Sequence, residues 1–290
     1  MTTQNSSSVS PALIADQLAQ AHDFLLNQLC CADDRLRPFV EYLGNRQGKM
    51  LRASVLLLSG ELFGEINHLH IKIAAVIEMI HAATLLHDDV IDNGQSRRHH
   101  ATANSLWGAN MAVLLGDYIL SKAFVVTASL QRNDINMILA DTAATICQGE
   151  MLQNTCRGDS NISVEDYLGI IEKKTAVFFA ACARLGGIIA GAEKTDCDAL
   201  YDFGLNLGLS FQMTDDLIDI VGTENETGKT GGRDVENEIL TLPAIKGIDF
   251  TKSQIAYFRQ KAVSSLDRFG QSPAAAALKE LASSMTQLPL

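Results

Sequence analysis

The chain has 290 residues, 47% hydrophobic and 20% charged, with a net charge of −11. That is enough apolar material for one large core, and it leaves no global positive field to draw the protein to nucleic acid or to an anionic membrane surface. An anionic ligand must therefore meet a local cluster of basic side chains.

Residues 1–18 open with the polar "MTTQNSSSVSP", which lacks the basic and apolar regions of a signal peptide. They read as a disordered lead-in, and residues 19–290 as a single all-α domain. Proline is absent between Pro38 and Pro243, an absence that helices tolerate better than strand-and-turn folds. Ile73, Ile77, Ile80 and Thr84 recur at helical steps, as do Tyr167, Ile170, Ile171, Lys174, Val177 and Phe178, and segments apolar nearly all round belong inside a bundle. No hairpin signal stands out. "TAVFFAACARLGGIIAGA" comes nearest to a membrane span, but Arg184 interrupts it, so no transmembrane segment is expected. Loops are expected at 93–102, 156–163 and 222–238, the last long enough to act as a lid. Cys30, Cys31, Cys147, Cys156, Cys182 and Cys197 show no metal or disulfide spacing and read as reduced, mostly buried thiols of a cytoplasmic protein.

The chemistry lies in a few stretches. "QGKMLRASV" sets Lys49 and Arg52 three residues apart, and His81 lies one to two helical turns ahead of "LLHDDVIDNGQSRRHH". There Asp88, Asp89 and Asp92 crowd one helix end, and like charges so close need protonation, water or a bound cation. An all-carboxylate site is hard and oxygen-based, which suits Mg²⁺. Arg97 and Arg98 follow beyond Asn93-Gly94, a pair that ends helices, and arginine forks grip phosphate oxygens. Lys174 stands at the edge of an apolar segment and Lys229 in "TGKTGGRD"; alone, each reads as a surface cation. What changes the reading is a second D-D-x-x-D, Asp215, Asp216 and Asp219 in "FQMTDDLIDIVG". Two carboxylate clusters facing across a bundle could hold several Mg²⁺ ions, which implies a ligand with at least two phosphates.

The ordered set "GKMLR", "IHAATLLHDDVID", "RR", "LLGDYILSKAF", "QGEMLQ", "KKTAVFF", "LGLSFQMTDDLID", "GKTGGRD" and "TLP" resembles the trans-type polyprenyl diphosphate synthases, most closely their long-chain, octaprenyl-type members. The resemblance implies an isoprenoid synthase-type all-α bundle around a deep central cavity, a homodimer, and about three Mg²⁺ per active site bound through carboxylates and substrate oxygens. It implies that isopentenyl diphosphate is added head to tail to an allylic diphosphate. Asp88, Asp92 and Asp215 would hold the Mg²⁺, supported by Asp89, Asp216 and Asp219. Arg97, Lys174 and Lys229 would grip the allylic diphosphate, Lys49, Arg52, His81 and Arg98 would bind isopentenyl diphosphate, and Thr175 and Gln212 would steady the reacting carbon.

Family members set product length with the residues four and five before the first aspartate, here Thr84 and Ala83. Both are small, and a helical turn of about 5.4 Å matches roughly one isoprene unit, so the resemblance implies a product of about C30–C50, octaprenyl favoured. A quinone side chain is the destination such a product implies. The chain departs from the family pattern at Ala53, at "RRHHA", and at Glu238 and Ile239, which stand where the family has Gly-Lys. The alternatives are a short-chain C15–C20 synthase, a subunit of a heteromeric synthase, and a class I terpene cyclase, which usually carries a different second motif.

Overall fold

The computed structural model describes residues 12–30, 33–44, 48–97, 100–221 and 238–287. Among them the chain is almost wholly helical. The helices are α1 (Ala15–Leu29), α2 (Arg37–Gly44), α3 (Leu51–Glu61), α4 (His68–Ile91), α5 (Ala103–Trp107), α6 (Ala109–Ser129), α7 (Asn133–Thr155) and α8 (Val164–Ile171). They continue with α9 (Val177–Ala190), α10 (Lys194–Val221), α11 (Leu242–Lys246), α12 (Ile248–Ser265) and α13 (Pro273–Met285).

Local chemistry starts and stops these helices. The Asn67 carboxamide accepts from the Leu69 and His70 N–H groups at the head of α4, and the His70 ring accepts from the Asn67 N–H in return. Ser163 and Asp166 form the same reciprocal cap on α8; such caps satisfy donors that the first helical turn leaves unpaired. Asn93 ends α4 by turning left-handed, at φ 50°.

The centre is built on α4 and α9. Helix α9 is buried along most of its length and lies between α3 and α10, while α4 packs on α1, α3 and α6. Ile73, Ile77, Met79, Phe179 and Phe203 are fully buried in the main core. A second cluster of Tyr167, Ile171, Met213, Leu217, Leu242 and Ile255 joins α8, α10, α11 and α12. Two glycines let backbones touch. A Cβ on Gly186 would lie 2.2 Å from the Leu56 carbonyl oxygen of α3, and one on Gly149 would lie 2.5 Å from the Lys174 nitrogen.

Several expectations need correction. The lead-in to residue 18 is too long: Ala12–Ile14 is a 3₁₀ turn and α1 starts at Ala15, because Ile14 and Leu18 have core to bury against. Residues 1–11 lie outside the described residues. A two-residue antiparallel pair, Ser96–Arg97 with His100–Ala101, sits in the loop expected at 93–102; it has neither the alternating apolar pattern nor the turn residues that announce a hairpin. The cysteines are not mostly buried: Cys182 and Cys197 are, Cys156 is half-buried, and Cys30 and Cys147 are exposed. All five are free thiols, and Cys31 is outside the described residues. His68–Ile91 and Ala109–Ser129 have the length and composition of a membrane span, a test that the buried core helix of a folded bundle also passes. The first is α4, the packed centre of the bundle and the carrier of Asp88 and Asp89.

Gly186→Ala should therefore destabilise the protein by about 2 kcal/mol or more, since its methyl group meets backbone rather than a yielding side chain. Urea unfolding should show a lower midpoint with an unchanged slope.

Candidate active site

The two acidic motifs come from different helices and meet at one cavity. Asp88 and Asp89 lie in the last turn of α4 and Asp92 caps it, its N–H donating to the Asp88 carbonyl at 2.8 Å. Asp215, Asp216 and Asp219 occupy the last two turns of α10. Between them is a cavity of about 100 Å³, lined by Asp92, Gln153, Lys174, Gln212 and Asp216 together with Tyr167, Ile170, Ile171 and Ile239.

In each motif the middle aspartate turns inward. Asp89 is 5% exposed and takes two contacts from Arg97 on one oxygen, Nε at 3.0 Å and Nη2 at 2.9 Å. Asp216 is 6% exposed and accepts from the Tyr167 hydroxyl at 2.6 Å and from Gln212 Nε2 at 2.8 Å. Burial pushes the Asp216 carboxyl up to about 6, against the pull of those two hydrogen bonds. Gln212 also accepts from the Thr175 hydroxyl at 2.8 Å. A continuous chain therefore runs from Thr175 through Gln212 to Asp216 and Tyr167, each donor matched to one acceptor.

Lys174 and Thr175 lie on a turn wider than the sequence spacing suggests. The apolar repeat from Tyr167 to Phe178 reads as unbroken α-helix, but Glu172–Ala176 is π-helical, a device common at functional sites. Gly149 on α7 leaves room for that turn to approach. Lys174 Nζ then reaches Glu150 at 2.5 Å and Gln153 at 2.6 Å, both on α7, while Thr175 reaches α10. Burial works against the charge on Lys174, but Asp88, Glu150 and Asp92 outweigh it and hold its pKa above the ordinary value.

Asp88 is where the cost of burial shows. Burial pushes its carboxyl up to about 7 despite the nearby Lys174 and Arg97, and Glu150 and Asp92 add to the effect. Asp92 is paired with Arg157 at 2.5 Å. Among the described residues no three His, Cys, Asp or Glu side chains converge into a ready-made metal cage. The donors nonetheless fit Mg²⁺, which is bound through one or two carboxylates and completes its shell with water and substrate oxygens.

The basic residues divide. Arg52 lies over the Phe178 and Phe179 rings, with Nη1 3.1 Å from His81 Nε2, so these two are brought together as expected. Lys49 is exposed at the mouth of α3. Arg97 is paired with Asp89 through Nε and Nη2. Arg98 and Lys229 lie outside the described residues, as does the loop expected to be a lid apart from Glu238. Ala83 is buried in the main core, and the half-buried Thr84 donates its hydroxyl to the His81 carbonyl at 2.8 Å. Neither lines the cavity between the motifs. Sequence reading missed Glu150, Gln153, Arg157 and Tyr167. Glu150 and Gln153 were within reach as the two polar ends of "QGEMLQ", whereas the Tyr167 hydroxyl was hidden inside an apolar stripe.

A model of the polyprenyl synthetase family matches residues 33–270. The chain belongs to that family. It is 36% identical over 233 residues to octaprenyl diphosphate synthase of Escherichia coli, covering 80% of this chain and 72% of that protein. It is 33% identical over 250 residues to a short chain isoprenyl diphosphate synthase of Methanothermobacter thermautotrophicus, covering 80% of this chain and 76% of that one. Among solved structures, a Caulobacter crescentus polyprenyl synthase complexed with calcium and isoprenyl diphosphate superposes with a TM-score of 0.92 at 30% identity, over 99% of this chain and 100% of that one. The protein is a prenyltransferase of a divalent-metal-dependent family that elongates prenyl chains.

Folded Asp88 binds its proton more tightly than the unfolded chain does, since its pKa rises from 3.8 to about 7. Its contribution to metal-free stability is therefore present at low pH and lost as pH rises through 7. At pH 8 Asp88→Asn should raise metal-free stability by about 1 kcal/mol, about 2–4 °C in Tm. The gain should shrink towards pH 5, as thermal melts at the two pH values would record.

Proposed function

We propose that this synthase makes a long all-trans polyprenyl diphosphate, about C30–C50, on the argument that small residues at helix-turn spacing leave length for the chain. The observation that carries the site assignment is the meeting of both acidic motifs at one cavity with Lys174 between them. Asp88, Asp92 and Asp215 would hold Mg²⁺, about three ions as the resemblance implies, with substrate oxygens completing the shell. Asp89, Asp216 and Asp219 position them. A divalent cation bound there would supply positive charge beside the leaving diphosphate.

The chain's own residues do the rest. Lys174, with Arg97 and Lys229, orients the allylic diphosphate, and Lys49, Arg52, His81 and Arg98 hold isopentenyl diphosphate opposite. Breaking the allylic C–O bond leaves a carbocation and diphosphate. Thr175 spends its proton on Gln212, so its oxygen lone pairs remain to steady that cation. The isopentenyl double bond attacks, one C–C bond forms, and a proton passes to a diphosphate oxygen. Apolar walls such as Ile170 and Ile171 keep water from the cation.

We also propose a homodimer. Leu114, Phe124 and Val125 on α6 and Met137 and Met151 on α7 are between 49% and 68% exposed, an apolar surface suited to a second copy. The exposed free thiols of Cys30 and Cys147 suit the reducing cytoplasm, and an apolar product suits release towards a membrane, for use as a quinone side chain.

Purified protein with Mg²⁺, labelled isopentenyl diphosphate and farnesyl diphosphate should give a ladder ending near C40, the octaprenyl length named for the Escherichia coli relative. A ladder ending at C15 or C20 would contradict the long-chain reading. Thr84→Phe should shorten the product, and Asp88→Ala should lower turnover by about 10²-fold or more. Leu114→Glu with Val125→Glu should shift the protein to monomer in sedimentation, and an unchanged dimer would refute the α6–α7 interface.

A further inference from the structure

We propose that Arg157 is a diphosphate-binding residue of this enzyme, parked on Asp92 in the metal-free state and passed to the substrate diphosphate when Asp92 takes a divalent cation. The inference rests on the reading of the acidic motifs given above.

Arg157 lies just beyond α7, in a short loop that the fold ties to the segment before α11. Gly158 is left-handed at φ 75°, and its N–H donates to the Glu238 carbonyl at 3.0 Å; Glu238 is itself left-handed at φ 56°. This joint brings Cys156, the residue before Arg157, and Ile239, the residue after Glu238, to the wall of the same cavity as Asp92, Lys174 and Asp216. Ile239 offers that rim no charge. Arg157 does, with Nη2 2.5 Å from Asp92 Oδ1 and its side chain 24% exposed.

Two features argue against a mere structural clamp. Arg157 Nε is buried and finds no acceptor among the described residues, so the fork has a donor unused while it sits on Asp92. A phosphate accepts from two arms of one guanidinium at once and would satisfy it. Its partner also differs from those of the neighbouring cations. Arg97 is held by the buried Asp89 and Lys174 by Glu150 and Gln153, whereas Asp92 is half-buried and lines the cavity. A cation entering there displaces Arg157 in particular, and the freed fork faces the anion that enters with the cation.

The test is titration of inorganic diphosphate into the intact enzyme with Mg²⁺ present, followed calorimetrically. Arg157→Gln should weaken binding by about 10-fold or more, and Arg157→Lys by less. Adding Ile239→Lys to Arg157→Gln should restore most of the affinity by returning a charge to the same rim. Thermal melts run alongside separate binding from folding, since the double variant leaves the clamp broken. Arg157→Gln binding diphosphate within twofold of the parent would overturn the inference and leave the acidic-motif reading standing. So would a loss that Ile239→Lys leaves unrepaired. If the parent protein itself takes up no diphosphate with Mg²⁺, both readings fall.

Discussion

The site is organised by one electrostatic constraint: carboxylates from two helices, Asp92 at the end of α4 and Asp216 on α10, line one cavity at the edge of an apolar core. Burying like charges is costly unless each is answered. Here the chain itself answers Asp89 with Arg97, Asp92 with Arg157, and Asp216 with Tyr167 and Gln212. At Asp88 burial prevails over the nearby Lys174 and Arg97, and its carboxyl climbs to about 7. A site in that state is poised for a divalent cation without being a finished cage for one.

The fold serves that constraint. Helix α4 must run through the centre of the bundle to bring its C-terminal aspartates to the cavity, and α10 must end opposite it. The close contact of α7 with the π turn, permitted by Gly149, sets Glu150 and Gln153 against Lys174. The helix that carries the lysine also carries Thr175, which reaches the other way to α10. One widened turn thus links three helices at the point where charge must be balanced.

Much of this was legible in the sequence. The paired D-D-x-x-D motifs, the helical periodicity of Ile73, Ile77 and Ile80, and the helix end at Asn93 all follow from local patterns. What was not legible depends on tertiary contact. Six aspartates look equivalent as letters, yet Asp89 and Asp216 turn inward because Arg97 and Tyr167 happen to reach them. Arg157 stands far in sequence from Asp92, and only the tertiary fold brings the two together. The π turn was invisible because insertion of an extra residue per turn leaves an apolar stripe almost unchanged over so short a span. Ile14 and Leu18 were misjudged because polar neighbours masked two residues that the core needs.

On the proposed reading the two acidic clusters form one metal site that the diphosphate would complete. The most direct measurement is to count bound Mn²⁺ per chain by electron paramagnetic resonance, with and without inorganic diphosphate. Binding should be weak alone and tight, with more than one ion, when diphosphate is present, and should be lost in both Asp88→Ala and Asp215→Ala. Metal uptake indifferent to diphosphate, or abolished by only one of the two substitutions, would contradict that reading.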